Sequence, residues 1–183
     1  MTGSSAVELP RTIFAFAKPL PEPSAENRAG AKVDTVTFCL SKALGAPVGS
    51  MLAGPRHLMD EARLLRKRLG GGMRQAGVLA AAGLIAMNDS PKGLGADHAN
   101  ARFIAERLAS MEGLKVHPVE TNIVIFDVSE TGRVSKEISA ALKERGVIMN
   151  GFTDKLMRAV THYDVSRDQC AQAMDALEEV LRS

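Results

Sequence analysis

The fold is predicted from the segment Val36-Thr-Phe-Cys-Leu-Ser-Lys-Ala-Leu-Gly-Ala-Pro-Val-Gly-Ser50. An apolar, β-branched run ends at Ser41-Lys42, and a turn rich in glycine and proline leads into a second apolar run. The pattern predicts two short buried strands, 33–40 and 48–53, and places Lys42 just after the C-terminal end of the first. A lysine amine that acts as a nucleophile needs such a place, partly desolvated and flanked by small residues. The residues alone leave open the alternative that Lys42 is an ordinary solvent-facing lysine at a strand end.

Helical spacing follows this segment. A helix is expected from Pro55 to about Arg68, and a triple glycine at 70–72 ends it. The next run, 76–87, is apolar nearly all round, which predicts a helix buried on every side. A break at 88–91 precedes a third helix over about 95–111. The first helix has an apolar stripe of Leu58, Ala62, Leu65 and Leu69.

The remainder of the chain alternates between strand and helix patterns. Gly146 is expected to end one helix in the left-handed conformation, and Ser166 with Gln169 forms a capping box that opens the last helix. The order of elements predicts an α/β sandwich with a partly antiparallel sheet. Strands are expected at 114–116, 122–128, 147–149 and 156–160, and helices at 134–145 and 166–181.

The composition is that of a soluble globular protein: of 183 residues, 45% are hydrophobic and 24% charged. A net charge of +2 argues against strong attraction to nucleic acid or to an anionic membrane. No apolar run approaches the roughly 18 residues of a membrane span, and no signal-peptide pattern is present, so a cytoplasmic location is expected. Cys39 and Cys170 are expected to be small core residues. Four of the eight prolines fall in residues 1–30, which predicts a largely disordered tail.

Three separated blocks resemble one enzyme family. They are the segment from Thr37 to Gly54, Gly70-Gly-Gly-Met-Arg-Gln-Ala-Gly-Val-Leu-Ala-Ala-Ala-Gly83, and Arg158-Ala-Val-Thr-His-Tyr-Asp-Val-Ser166. Their order and spacing are similar to those of the low-specificity L-threonine aldolases, which are pyridoxal-phosphate (PLP) enzymes of the aspartate-aminotransferase fold. The resemblance implies an α/β, partial PLP-dependent transferase fold. Its expected parts are an unmatched tail (1–31), the remnant of the large PLP-binding domain (32–90) and the small C-terminal α/β sandwich domain (91–183).

The resemblance also implies roles for four residues. Lys42 is the expected catalytic lysine, to which PLP is bound. Lys67 and Arg74 flank the triple glycine, where cations and backbone N–H groups suit a phosphate, and the resemblance implies that this loop reaches the cofactor of a neighbouring subunit. The alternative is a solvated basic face. Arg158 lies in an apolar strand, and a buried arginine needs an anion; the resemblance implies the substrate carboxylate, and Asp164 is the alternative partner.

The implied activity is cleavage of L-threonine or L-allo-threonine to glycine and acetaldehyde by a homo-oligomer, which is a tetramer in the family. Chains of the family are nearly twice as long, so the sequence is expected to be truncated at its N-terminus. The family's ring-stacking histidine and ring-nitrogen aspartate have no counterpart before Val33, which predicts a poor catalyst in isolation. The alternative is an inactive fragment that acts only by assembly with full-length subunits. A basic nucleic-acid binder is a minor option, and His162 lacks the partners of a metal site.

Overall fold

The computed structural model describes residues 34–182. The tail expected at 1–31 and the start of the first expected strand at Val33 lie outside the described residues. The chain divides into two compact units, of which the first ends at Pro91 and the second begins at Lys92. Within residues 34–182, no helix is long and apolar enough to cross a membrane.

The first unit contains a β-hairpin followed by two helices. Its strands pair antiparallel, with Val36 opposite Ala53 and Cys39 opposite Ser50. A small cluster of buried side chains lies under the hairpin turn: Leu40, Ala46, Met51 and Ala86. The elements are β1 (Val36–Cys39), β2 (Ser50–Ala53), α1 (Arg56–Arg68) and α2 (Gly77–Asn88).

The degree of burial predicted for the first unit is wrong. Both strands are largely exposed, Cys39 is exposed, and α1 is anchored by the buried Met59 while its predicted stripe ends at Leu69 with 85% exposure. Only Gly83 and Ala86 of α2 are buried, although α2 was expected to be buried on every side. The reason is physical: an apolar composition shows that a helix face is suited to burial, but residues 34–91 supply too few side chains to cover that face.

The second unit places three helices on one face of a four-stranded sheet. The strand order is β3-β4-β6-β5 and every pairing is antiparallel, which corrects the partly antiparallel sheet that was expected. The elements, in chain order after a 3-10 turn at Ser90–Lys92, are α3 (Leu94–Ala109), β3 (Lys115–Val116), β4 (Ile123–Asp127), α4 (Ser135–Glu144), β5 (Asn150–Gly151), β6 (Leu156–Val160) and α5 (Arg167–Arg182), with a further 3-10 turn at Ser129–Thr131.

Strand alternation separates the two faces of this sheet. Val124 and Phe126 of β4 are fully buried, as are the β6 residues Met157 and, nearly, Ala159, and they pack with the helices. The alternate residues, Ile123, Ile125 and Asp127 on β4 and Leu156, Arg158 and Val160 on β6, lie on the opposite face. This second face is called the open face, because none of its members is buried.

Local capping signals in the second unit are confirmed. Gly146 has a φ of 77° and follows α4, where the Gly146 and Val147 amides donate to the carbonyls of Lys143 and Leu142. The Ser166 amide donates to the Gln169 side chain at 2.9 Å, and the Gln169 amide donates to the Ser166 hydroxyl at 3.2 Å. Cys170 is buried, as expected, and burial raises the pKa of its thiol.

One strand of the second unit is displaced from its predicted position. The strand expected at 147–149 begins only at Asn150, opposite Arg158. The turn after it sets the register, because the Phe152 amide donates to the Leu156 carbonyl at 2.7 Å. Met149 enters the core instead, with 6% exposure.

Candidate functional site

Lys42 lies on a tight turn that joins β1 to β2. Its carbonyl accepts a hydrogen bond from the Gly45 amide at 2.9 Å, and the Ala46 amide donates to the Leu40 carbonyl at 3.0 Å. Leu40 and Ala46 are both buried, so the two ends of the turn are fixed in the small core beneath it. The Ser90 hydroxyl also donates to the Leu44 carbonyl at 2.7 Å and ties the turn to the segment after α2. The backbone under Lys42 is therefore well constrained.

The side chain of Lys42 is exposed, which corrects the partial desolvation that was expected. Its small neighbours are as predicted. Gly49 has a φ of 132°, and a Cβ at that position would lie 3.3 Å from Cδ1 of Leu40, so a side chain would strain the backbone and crowd the core. The turn thus presents a primary amine on a fixed backbone, with little side-chain bulk around it.

The triple glycine forms a helix stop of the Schellman type. Gly70 has a φ of 81° and its amide donates to the Lys67 carbonyl, while the Gly71 amide donates to the Arg66 carbonyl at 2.8 Å. Lys67 therefore lies in the last turn of α1, and Arg74 lies in the exposed connection that leads to α2. Both side chains are exposed and neither has an ion pair or hydrogen bond with another described residue.

Gln75, next to Arg74, has a φ of 52°. It is the one non-glycine residue with positive φ in the part of the chain that the structure describes. Such a conformation is uncommon for a residue with a side chain, and strained backbone of this kind is concentrated at functional sites. Sequence reasoning did not single out Gln75, and no local pattern marks it.

Arg158 is exposed on the open face, so the prediction that it is a buried arginine is wrong. Strand alternation explains the error: Met157 and Ala159 point toward the helices, and Arg158 shares the opposite face with Leu156 and Val160. Its guanidinium has no ion pair or hydrogen bond with residues 34–182. Asp164, the alternative partner, lies 3.4 Å from Nδ1 of His162 instead.

Two polar residues, Asn150 and Asp127, share the open face with Arg158 and were missed as site candidates. Asn150 lies directly opposite Arg158 across the β5–β6 pair, and Ile125 lies opposite it across the β4–β6 pair. Asn150 was missed because the strand was predicted at 147–149, whereas β5 begins at Asn150. Asp127 is held by Ser129, whose side chain and backbone amide both hydrogen-bond to it and lower the pKa of that carboxyl, the amide at 2.6 Å.

The four predicted site residues fall in both units. Lys42, Lys67 and Arg74 belong to the first unit, and Arg158 belongs to the second. Nothing in the geometry of either unit alone joins them into a closed site. Within residues 34–182, no cluster of three or more His, Cys, Asp or Glu side chains is arranged to hold a metal ion.

Comparison with known proteins gives one family. The family model described as beta-eliminating lyase matches residues 18–131, starting upstream of the three blocks noted in the sequence. Low-specificity L-threonine aldolase 1 of Arabidopsis thaliana is 36% identical over 151 residues, a match that covers 81% of this chain and 42% of that protein. The chain thus spans about two fifths of the length of the curated relatives it matches.

Two solved structures have similar folds at low identity. A putative L-allo-threonine aldolase from Listeria monocytogenes has a TM-score of 0.62 at 20% identity, over 81% of this chain and 45% of that one. An aspartate aminotransferase from Thermotoga maritima has a TM-score of 0.59 at 20% identity, over 81% of this chain and 40% of that one.

The structure therefore has a partial aspartate-aminotransferase fold, which confirms the predicted fold class. This is the fold of a large class of PLP-dependent enzymes. The chain belongs to the beta-eliminating lyase family, and the resemblance to low-specificity L-threonine aldolases is confirmed.

Proposed function

We propose that this chain supplies the cofactor lysine and the carboxylate-binding arginine of a PLP-dependent lyase. The proposed reaction is the cleavage of L-threonine or L-allo-threonine to glycine and acetaldehyde, a step of threonine catabolism. The observation that carries the proposal is the turn at Lys42, which holds a primary amine on a fixed, uncrowded backbone in a chain of this family.

The residues present fit PLP by their chemistry. Lys42 offers the amine that binds the cofactor covalently. Lys67 and Arg74, exposed on either side of the Gly70–Gly72 stop, offer cations suited to its phosphate. When bound, PLP supplies the electron sink that cleavage of the Cα–Cβ bond requires.

Arg158 is proposed to bind the substrate carboxylate. Its guanidinium has five donors in a planar fork that matches a carboxylate, and no described residue competes for them. Arg158 is exposed between its cross-strand neighbours Ile125 and Asn150, so a ligand can reach the guanidinium from the solvent side of the sheet. Binding there orients an amino acid by its carboxylate end and leaves its amino group and side chain available for reaction.

The proposal includes the organisation of the protein. Residues 32–90 are assigned to the large PLP-binding domain and 91–183 to the small domain. A cytoplasmic homo-oligomer is proposed, in which the glycine loop carrying Arg74 contributes to a neighbouring cofactor. The exposed apolar residues of α2, Val78 at 73% and Ile85 at 64%, support self-association.

The test is trapping of the cofactor on its lysine. The full chain is incubated with PLP, reduced with borohydride and mapped by peptide mass spectrometry. Label on Lys42, abolished by Lys42→Ala, is the expected result. Lys92 and Lys67 are the internal controls, because both are exposed lysines of the same chain. Label that falls mainly on these lysines and leaves Lys42 unmodified contradicts the proposal.

A second candidate is favoured by the exposed apolar residues of α2, Val78 and Ile85, which suit burial against another chain. In this alternative the chain has no activity alone and acts by assembly with longer subunits. Release of acetaldehyde from L-threonine, measured with PLP for the chain and for Lys42→Ala, separates the two. Turnover that depends on Lys42 supports the enzyme, whereas label on Lys42 without turnover supports the assembly role.

A further inference from the structure

Two exposed leucines lie side by side on α1. Leu64 is 60% exposed and Leu65 is 45% exposed, although both lie within a regular helix. The helix is attached to its unit through Met59, which is 3% exposed. The surface formed by Glu61, Leu64, Leu65 and Arg68 is called the outer face of α1. Spacings of three, four and seven residues place these side chains on one side of a helix.

The charges that border these leucines have no side-chain partner in the part of the chain that the structure describes. No ion pair or hydrogen bond joins the side chain of Glu61 or of Arg68 to any residue between 34 and 182. The neighbouring acid, Asp60, differs in this respect, because its carboxylate lies 3.3 Å from Arg63. The outer face therefore combines two exposed leucines with one acid at its N-terminal end and one base at its C-terminal end.

The order of these four residues is symmetric about the point between Leu64 and Leu65. Glu61 and Arg68 are equally far from that point and carry opposite charges. A second α1 laid antiparallel across this point brings Glu61 of each copy against Arg68 of the other, and Leu64 of each copy against Leu65 of the other. A two-fold axis between identical chains produces this arrangement, because each contact is then made twice.

We propose that two copies of this chain associate through antiparallel packing of the outer face of α1. The inference deepens the self-association in the proposed function by naming its contact surface. The leucines supply the apolar area removed from water, and the two Glu61–Arg68 contacts select the antiparallel arrangement. A parallel pairing is disfavoured, since it brings like charges together at both ends.

Charge reversal on the full chain tests the contact. Glu61→Arg and Arg68→Glu each convert both interchain pairs into like-charge pairs, and each is expected to weaken dimerisation by about tenfold, about 1.4 kcal/mol. Glu61→Arg/Arg68→Glu restores both pairs with exchanged partners and is expected to recover the wild-type constant. Both positions are exposed, so the substitutions leave the packing of the helix intact. Dissociation constants are measured by sedimentation equilibrium without PLP.

Arg66→Glu is the matched control. It makes the same substitution as Arg68→Glu two residues earlier, at an exposed position about 200° round the helix and off the outer face. Its expected effect is less than about twofold, in keeping with an exposed charge that faces no partner. An equimolar mixture of the two single variants is expected to form mixed dimers in preference to either homodimer, as counted by native mass spectrometry.

Three outcomes overturn the proposal. They are single reversals that leave dimerisation unchanged, an Arg66→Glu effect as large as that of Arg68→Glu, and a double reversal that fails to restore association. The trapping of PLP on Lys42 is carried out on the same variants in separate incubations with PLP. If Lys42 is labelled but association does not depend on these charges, only the α1 contact is rejected. If association depends on the charges as expected but Lys42 is not labelled, only the cofactor role is rejected.

Discussion

Gly151 of β5 lies against Ser135 at the start of α4. A Cβ added there would lie 3.0 Å from Cβ of Ser135 and closer still to its hydroxyl, well inside van der Waals contact. That hydroxyl donates to the Thr153 carbonyl at 2.6 Å, and the Ser135 amide donates to the Asp154 carbonyl at 2.9 Å. Ser135 thus fastens the β5–β6 turn to α4, and an added methyl group must displace it.

Gly151→Ala is therefore expected to destabilise the second unit. Overpacking costs about 1–3 kcal/mol and a lost buried hydrogen bond about 1–3 kcal/mol, so a decrease of about 2–6 kcal/mol in the free energy of unfolding is expected. Urea unfolding followed by the fluorescence of Tyr163 measures it, because Tyr163 is the one tyrosine of the chain and no tryptophan is present.

Gly95→Ala is the matched control for this prediction. It adds the same methyl group, in the first turn of α3, where a Cβ meets no atom within 4 Å. Alanine favours a helix over glycine by up to about 1 kcal/mol, so no loss of stability is expected. The clash also predicts coupling: in a Ser135→Ala background, Gly151→Ala is expected to cost less than in the native chain. Equal costs in the two backgrounds, or a loss below about 1 kcal/mol, would refute the reasoning.

Two further measurements test individual contacts of the second unit. Thr161 is 1% exposed, and its hydroxyl donates to the Asp97 carbonyl at 2.7 Å. Thr161→Val removes this hydrogen bond and is expected to lower the free energy of unfolding in urea by about 1–3 kcal/mol, whereas the control Thr121→Val, at an exposed position, is expected to change it by less than about 0.5 kcal/mol. Equal effects of the two substitutions contradict the prediction. The pKa of Asp127 is lowered from 3.8 by Ser129, so its contribution is present above pH 3.8 and is lost as the pH falls through the folded pKa. The stability difference between the native chain and Asp127→Asn is therefore expected to shrink below pH 3.8, and a difference independent of pH counts against this origin.

The second unit was largely predictable from sequence because its signals are local. The alternation of Val124 and Phe126 with Ile123 and Ile125 separates the two faces of β4 without knowledge of any other element. The Ser166–Gln169 capping box and the stop at Gly146 depend on hydrogen bonds within a few residues. The displacement of β5 was not predictable, since it depends on how the Phe152 amide closes a turn.

The first unit shows the limit of such reasoning. The composition of α2 correctly predicted a helix, but Val78 and Ile85 are mostly exposed. Periodicity reports how apolar a face is, and burial depends on whether another surface covers that face. The same distinction applies to Lys42, where the sequence located the turn and its small residues, and the exposure of the amine had to come from the structure.

The exposure of Arg158 has a consequence for the substrate binding that we propose for it. A carboxylate paired with an exposed arginine gains at most about 1 kcal/mol, whereas binding with a dissociation constant of 1 mM requires about 4.1 kcal/mol. The open face must therefore be covered before Arg158 can hold a substrate with useful affinity. Ile123 and Val160, at 43% and 49% exposure, face each other across the β4–β6 pair, two residues along the strands from Ile125 and Arg158, and offer apolar area to such a cover. A surface that buries them removes apolar area from water and also excludes water from the guanidinium. The lower effective dielectric then strengthens the attraction between Arg158 and a carboxylate.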